Sequence, residues 1–184
     1  MEELQEGRYK MKIITVSPER CTGCRMCELA CSIKHTGEFN PSRSRICVTA
    51  YDESYCIPMM CFQCEHPYCA EVCPAGAIIR DEATGMVKVI EEKCTGCKTC
   101  ILACPYGNMI FSNEKKVVEN CNFCGGEPEC VGVCATQALE FKEVGSVREG
   151  TISARLRPLH EETPPDISKV LLCIEGRKAW NYRS

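Results

Sequence analysis

Cysteine falls in four runs along this 184-residue chain, and the spacing within each run restricts what the chain can fold around. The first run holds Cys21, Cys24, Cys27 and Cys31. The second holds Cys61, Cys64, Cys69 and Cys73, the third Cys94, Cys97, Cys100 and Cys104, and the fourth Cys121, Cys124, Cys130 and Cys134. Together they take sixteen of the nineteen cysteines. Iron is thiophilic, and a 4Fe-4S cubane offers four corners that each take one thiolate. A tight CxxCxxC loop serves three corners but cannot wrap to the fourth, so the fourth ligand comes from another run. The third run has this spacing in full and the second is the same run with two residues inserted. Four runs imply four 4Fe-4S clusters, paired into two two-cluster units whose runs each give their last cysteine to the partner. Gly96 lets the backbone of the tight loop approach closely and turn amide N–H groups toward sulfur. Pro74 and Pro105 end the short helices and turn the chain away.

Length and composition suit one or two small globular domains, with 45% apolar and 26% charged residues. So many cysteines in a secreted chain would suggest a disulfide scaffold, but residues 1–10 carry neither an apolar run nor a twin-arginine pair. With no apolar stretch long enough to span a bilayer, the expectation is a cytoplasmic protein whose thiolates hold metal. The formal charge of −3 becomes roughly −11 once sixteen thiolates hold four cubane cores of about +2 each. That disfavours nucleic acid as a partner, because phosphates must be neutralised to bind.

The elements between the ligands read as short. Residues 12–16 form a β-branched strand before the first run, and the segment between third and fourth cysteine of each run reads as a short helix, for example 25–33. Residues 77–80 and 86–90 flank a turn at 81–85. Residues 108–111 and 116–118 repeat that design around 112–115, and 138–141 close the set. Residues 36–45 are a polar insertion expected at the surface. Near the end, Asp166 is a good N-cap. Ile167, Val170, Leu171 and Ile174 make one helical stripe before Gly176, which suits packing on this domain and docking on a partner equally.

Several residues compete for attention. Zinc needs only four thiolates in a tetrahedron and no third cysteine in a run. The CxxCxxC triples argue against it, although the second and fourth runs alone would serve either metal. Cys47, Cys56 and Cys173 lie outside the runs and read as plain reduced thiols. His35, His66 and His160 match no ligand spacing, and His66 reads as a loop-shaping residue or a donor near sulfur. The acidic pairs at 2–3, 91–92 and 161–162 read as solvated surface. No phosphate-binding glycine loop or Ser/His/Asp arrangement is present as a motif.

The four runs, with CSIKHTGEFNPSRSRI and NCNFCGGEPEC, resemble the four-cluster electron-transfer subunits of the dimethyl sulfoxide reductase iron-sulfur type. They look most like those of tungsten aldehyde oxidoreductase-type enzymes, including class II benzoyl-CoA reductase. The resemblance covers about residues 12–143. It implies an α+β fold of two ferredoxin-like units, one nested within the other. Runs one and four form an outer unit over 12–60 and 105–144, runs two and three an inner unit over 61–104, and 145–184 are a partner-docking extension. It further implies four ligand sets: Cys61, Cys64, Cys69 and Cys104; Cys94, Cys97, Cys100 and Cys73; Cys21, Cys24, Cys27 and Cys134; and Cys121, Cys124, Cys130 and Cys31. Two departures stand out: Ser32 follows Cys31 and Ala135 follows Cys134, where proline is usual. If one outer run is unoccupied, the load is three clusters. The implied function is a non-catalytic relay between a larger oxidoreductase subunit, a tungsten or molybdenum enzyme being favoured, and a further redox partner. A freely diffusing polyferredoxin, or a subunit serving a hydrogenase or carbon monoxide dehydrogenase, is the alternative.

Overall fold

The computed structural model describes residues 11–51 and 55–144. The helix expected after Asp166, the rest of the extension and Cys173 lie outside the described residues. The chain opens on strand β1 (Met11–Val16), where the β-branched Ile13, Ile14 and Val16 favour extended backbone. It pairs antiparallel with the last strand, β8 (Leu139–Val144), so that Ile14 faces Phe141 and Val16 faces Leu139. The first and last described elements are thus held together.

Each run carries one helix between its third and fourth cysteines, as expected. These are α1 (Met26–Thr36), α2 (Tyr68–Glu71), α3 (Thr99–Ala103) and α4 (Glu129–Gly132). Helix α1 packs against α4, and α2 against α3. The two predicted hairpins are present as β4 (Ile78–Arg80) with β5 (Val87–Val89), and β6 (Ile110–Ser112) with β7 (Val117–Glu119). In the first, Asp81 Oδ1 accepts from the N–H groups of Ala83 and Thr84 at 2.9 and 3.0 Å, the side-chain turn that aspartate favours.

A third ribbon, β2 (Ile46–Tyr51) with β3 (Tyr55–Met60), goes beyond what the sequence pattern predicts. Pro58 within β3 argues against a strand there. In a two-stranded ribbon, however, every strand is an edge, and a missing donor is tolerated. Glu28 pins this ribbon to α1: the carboxylate is 2% exposed and its Oε1 accepts the Val48 N–H at 2.6 Å. Cys47 and Cys56 therefore lie in paired strands. The polar insertion lies at the surface, half-buried or exposed through Arg43, but ends on Ser44 and Arg45, both buried.

Two apolar cores result. One gathers Ile14, Val16, Ile46, Val48, Met60, Phe123 and Leu139 with Cys27, Cys31, Cys121 and Cys130. The other gathers Ile78, Val87, Ile101, Met109 and Val118 with Cys100 and Cys104. Both are small, and cysteine makes up a large share of each.

Gly96 has φ +69°, and a Cβ there would lie 2.6 Å from the carbonyl oxygen of Lys116 on the neighbouring hairpin. Gly37, which ends α1 at φ +74°, has open space around it. Gly37→Ala is therefore expected to cost about 1 kcal/mol, the penalty of left-handed backbone alone. Gly96→Ala should cost about 3 kcal/mol, because strain and collision add. Thermal unfolding of the anaerobically reconstituted variants, followed by circular dichroism, measures the difference.

Candidate functional site

The two CTGC loops adopt one geometry. Gly23 and Gly96 both have φ +69°, and the residues after the second cysteines, Arg25 and Lys98, have φ +59° and +61°. This left-handed pair curls the loop so that three thiols turn toward one point while the helix starts behind them.

The fourth cysteine of each run comes near cysteines of a different run: Cys104 near Cys69, Cys73 near Cys100, Cys31 near Cys130 and Cys134 near Cys21. Burial drives the Cys69 thiol far above its ordinary value, and Cys61, Cys104 and Cys64 add to the effect. Burial pushes Cys100 up to about 12, with Cys94, Cys97 and Cys73 adding. Cys130 is raised strongly by burial and then by Cys121, Cys31 and Cys124. Cys21 is raised by burial and by Cys56, Cys134 and Cys24, against a backbone hydrogen bond at Gly23. A cavity is lined by Cys73, Cys94, Cys97 and Cys100, with Ala77 and Ile78 among its apolar walls. Sulfurs crowded in apolar walls resist ionising alone, and iron reverses the preference because metal–thiolate bonding displaces the protons. Among the described residues no three Cys, His, Asp or Glu side chains converge closely enough to hold a single metal ion. A cubane spreads its thiolates over four irons, and sets of four soft sulfurs with N–H donors behind them fit it.

Donors to sulfur follow the turn after the second and third runs. The N–H of Ala77 reaches Cys73 Sγ at 3.3 Å and that of Asn108 reaches Cys104 Sγ at 3.4 Å, each four residues on. Both turns place a left-handed residue three after the cysteine, Gly76 and Gly107, whose N–H bonds the cysteine carbonyl. After Cys134, Gln137 makes the same turn at φ +54°, so the missing proline does not change the backbone there. The first run differs: α1 continues past Cys31 to Thr36, and the donor to Cys31 Sγ is the Arg45 N–H at 3.3 Å, from the far end of the insertion.

Several functional side chains escape the spacing argument. Gln63, 1% exposed, donates from Nε2 to the Cys121 carbonyl at 2.5 Å and accepts the Val87 N–H at 2.6 Å. Asn120 donates to Cys61 Sγ at 3.6 Å and to the Val87 carbonyl at 2.8 Å. These two amides tie the second and fourth runs together. His35 Nε2 lies 3.7 Å from Cys124 Sγ. Arg45 Nη2 meets Glu119 Oε2 at 3.3 Å, both nearly buried, and Lys115 Nζ meets Oε1 at 3.0 Å. The one sequence signal for Gln63 and Asn120 is their place inside or beside a run. Of the thiols outside the runs, Cys56 packs against Gly23, where its Sγ lies 2.7 Å from the position of an added Cβ.

Crossed thiol sets on short helices and hairpins define a ferredoxin-like iron-sulfur protein. The family pattern described as a 4Fe-4S dicluster domain matches residues 52–144, and one described as a 4Fe-4S binding domain matches residues 18–37. The polyferredoxin-like subunit of an aliphatic sulfonate oxidoreductase from Pyrococcus furiosus is 36% identical over 165 residues, covering 90% of this chain and 89% of that one. The B subunit of the anaerobic dimethyl sulfoxide reductase of Haemophilus influenzae is 33% identical over 182 residues, covering 87% and 86%. One polypeptide of the active site complex BamBC of benzoyl-coenzyme A reductase with 1,5-dienoyl-CoA is 23% identical at a TM-score of 0.44, with 90% of this chain and 98% of that chain covered. The protein belongs to the 4Fe-4S dicluster family, among the iron-sulfur electron-transfer subunits of the dimethyl sulfoxide reductase type.

The Arg45–Glu119 pair yields a prediction. Burial works to raise the Glu119 carboxyl, but Arg45 and then Lys115 outweigh it and hold it below the ordinary carboxylate range. A group depressed in this way stabilises the fold above its unfolded pKa, and the stabilisation is lost as pH falls through the folded value. Arg45→Met should destabilise the protein by about 3 kcal/mol at neutral pH, by leaving the carboxylate underpaired. The gap between variant and wild type should narrow as pH falls through the carboxylate range, because the underpaired carboxyl of the variant takes up its proton before the depressed one of the wild type does. Melting curves at several pH values test both parts.

Proposed function

We propose that the chain is a non-catalytic wire that holds four 4Fe-4S clusters and carries electrons between a larger oxidoreductase subunit and a further redox partner. The observation that supports this reading is the approach of the last thiol of each run to thiols of another run. On this reading the clusters are held by Cys61, Cys64, Cys69 and Cys104; by Cys94, Cys97, Cys100 and Cys73; by Cys21, Cys24, Cys27 and Cys134; and by Cys121, Cys124, Cys130 and Cys31. Runs one and four form the outer unit and runs two and three the inner one. The pairing of β1 with β8 and of α1 with α4 around the contact of α2 with α3 supports that nesting. Met109 and Val118, just past residue 104, pack into the inner core.

Each cluster, when bound, supplies a one-electron couple. The chain's own residues hold the sulfurs, exclude water with apolar walls and aim N–H groups at the thiolates. Gln63 and Asn120 keep the inner and outer units at a fixed separation. The relatives named as subunits of oxidoreductases support a larger catalytic partner. The resemblance to tungsten and molybdenum systems favours such an enzyme, and residues 145–184 are assigned to docking on it. Among the described residues no helix is long and apolar enough to cross a membrane.

Anaerobically purified protein should contain about sixteen irons with matching sulfide. Iron near twelve would mean that one outer run is empty, and bound zinc without visible absorption would sink the reading. Cys134→Ser should damage the cluster of Cys21, Cys24 and Cys27 more than that of its own run, seen as selective loss of one signal in electron paramagnetic resonance (EPR). The opposite loss would show that each run closes on itself. Truncation after Val144 should leave iron content nearly unchanged and abolish fixed-ratio co-purification with a larger metalloenzyme. A truncated chain that still co-purifies would rule out docking by the extension, and a full-length chain that never co-purifies would favour a diffusing polyferredoxin.

A further inference from the structure

Helix α1 is the longest helix among the described residues, since after Cys31 neither a proline nor a left-handed residue three positions on stops it. The extra turn brings His35 four residues beyond Cys31, onto the same face of the helix. Cys31 stands in the set of Cys121, Cys124 and Cys130, and the His35 ring reaches another member of that set. Its Nε2 is 3.7 Å from Cys124 Sγ, within hydrogen-bonding range for sulfur. A thiolate bound to iron can only accept, so the contact requires the proton on Nε2. The ring also lines an open cavity between the polar insertion and the β6–β7 hairpin, together with Thr36, Arg43, Phe111 and Lys115. His35 is thus the polar group between that cavity and the sulfur.

We infer that His35 is a tuning residue: its Nε2–H donates to Cys124 Sγ and raises the reduction potential of the cluster held by Cys31, Cys121, Cys124 and Cys130. This rests on the ligand set proposed above. The physical cause is differential stabilisation. Reduction adds negative charge to the cluster and its sulfurs, so a fixed N–H dipole aimed at a thiolate favours the reduced state over the oxidised one. The Arg45 N–H on Cys31 acts in the same direction on the same set, but its backbone donor survives any side-chain change. The His35 donor, by contrast, is removed by substitution.

The test compares wild type with His35→Leu and His35→Gln, all anaerobically reconstituted, by iron analysis and EPR-monitored redox titration. Leucine fills the space without a donor, and glutamine retains one. Expected is full iron in all three proteins and, in His35→Leu, one cluster about tenfold harder to reduce, which is 59 mV for a one-electron couple. His35→Gln should recover most of that shift. Unchanged potentials in His35→Leu, or equal shifts in both variants, overturn the tuning role while leaving the ligand set intact. Wild type lacking four of the sixteen irons, with Cys124→Ser costing no further iron, overturns the ligand set, and this inference with it. A second measurement needs no change at His35. The chain has three histidines, so His66→Gln with His160→Gln leaves His35 as the single one. With the ring labelled with nitrogen-15, pulsed EPR should detect that nitrogen weakly coupled to one reduced cluster. A spectrum without the coupling overturns the proposal, whatever becomes of the leucine variant.

Discussion

The structure depends on one geometric limit: a short loop can bring three sulfurs to a point but cannot reach around to supply a fourth. Every larger feature follows from meeting it. The last thiol of each run must stand beside a run elsewhere in the chain, so the backbone has to return antiparallel on itself. The helices that carry the third thiol of each run meet in pairs, α1 with α4 and α2 with α3. Apolar burial plays the smaller part. Cysteine sulfur makes up a large share of both cores, and besides its thiols the second buries Ile78, Val87, Ile101, Met109 and Val118. In so small an interior, metal–sulfur bonding contributes folding free energy directly.

Much of this is legible in the sequence because ligand spacing and turn chemistry are local. The four helices between third and fourth cysteines, the Asp81 turn and the terminal strands all follow from residues within a few positions of one another. The β2–β3 ribbon does not follow, since Pro58 masks a strand that survives only because both of its members are edges. The buried Gln63 and Asn120 are illegible for a different reason. An isolated amide has no periodicity, and its value lies in partners at 121 and 87, far away in sequence. His35 matches no ligand spacing, which is correct for a ligand and silent about a donor.

The residues after the fourth cysteines show how a sequence rule and its physical cause separate. Proline ends the helix after Cys73 and Cys104, yet the backbone turn itself is made by a left-handed residue three positions on. Gln137 serves at that position as Gly76 and Gly107 do. Only where both devices are missing, after Cys31, does the chain take another course. There the helix lengthens, and its sulfur is reached by an amide fourteen residues later.

The pairing of β1 with β8 joins residues more than a hundred positions apart, and this has a consequence for how the protein is made. On a ribosome working at about 5–20 residues per second, Cys121 follows Cys31 after roughly 5–18 s. The thiols of runs two and three are complete by Cys104, about 1–3 s before then. Assembly in the cell therefore has a built-in order: the middle of the chain can take up iron and sulfide while the first run still waits, open to oxidation, for its counterpart to emerge. Oxygen met during synthesis would strike the early cysteines of the first run hardest, before those of any other.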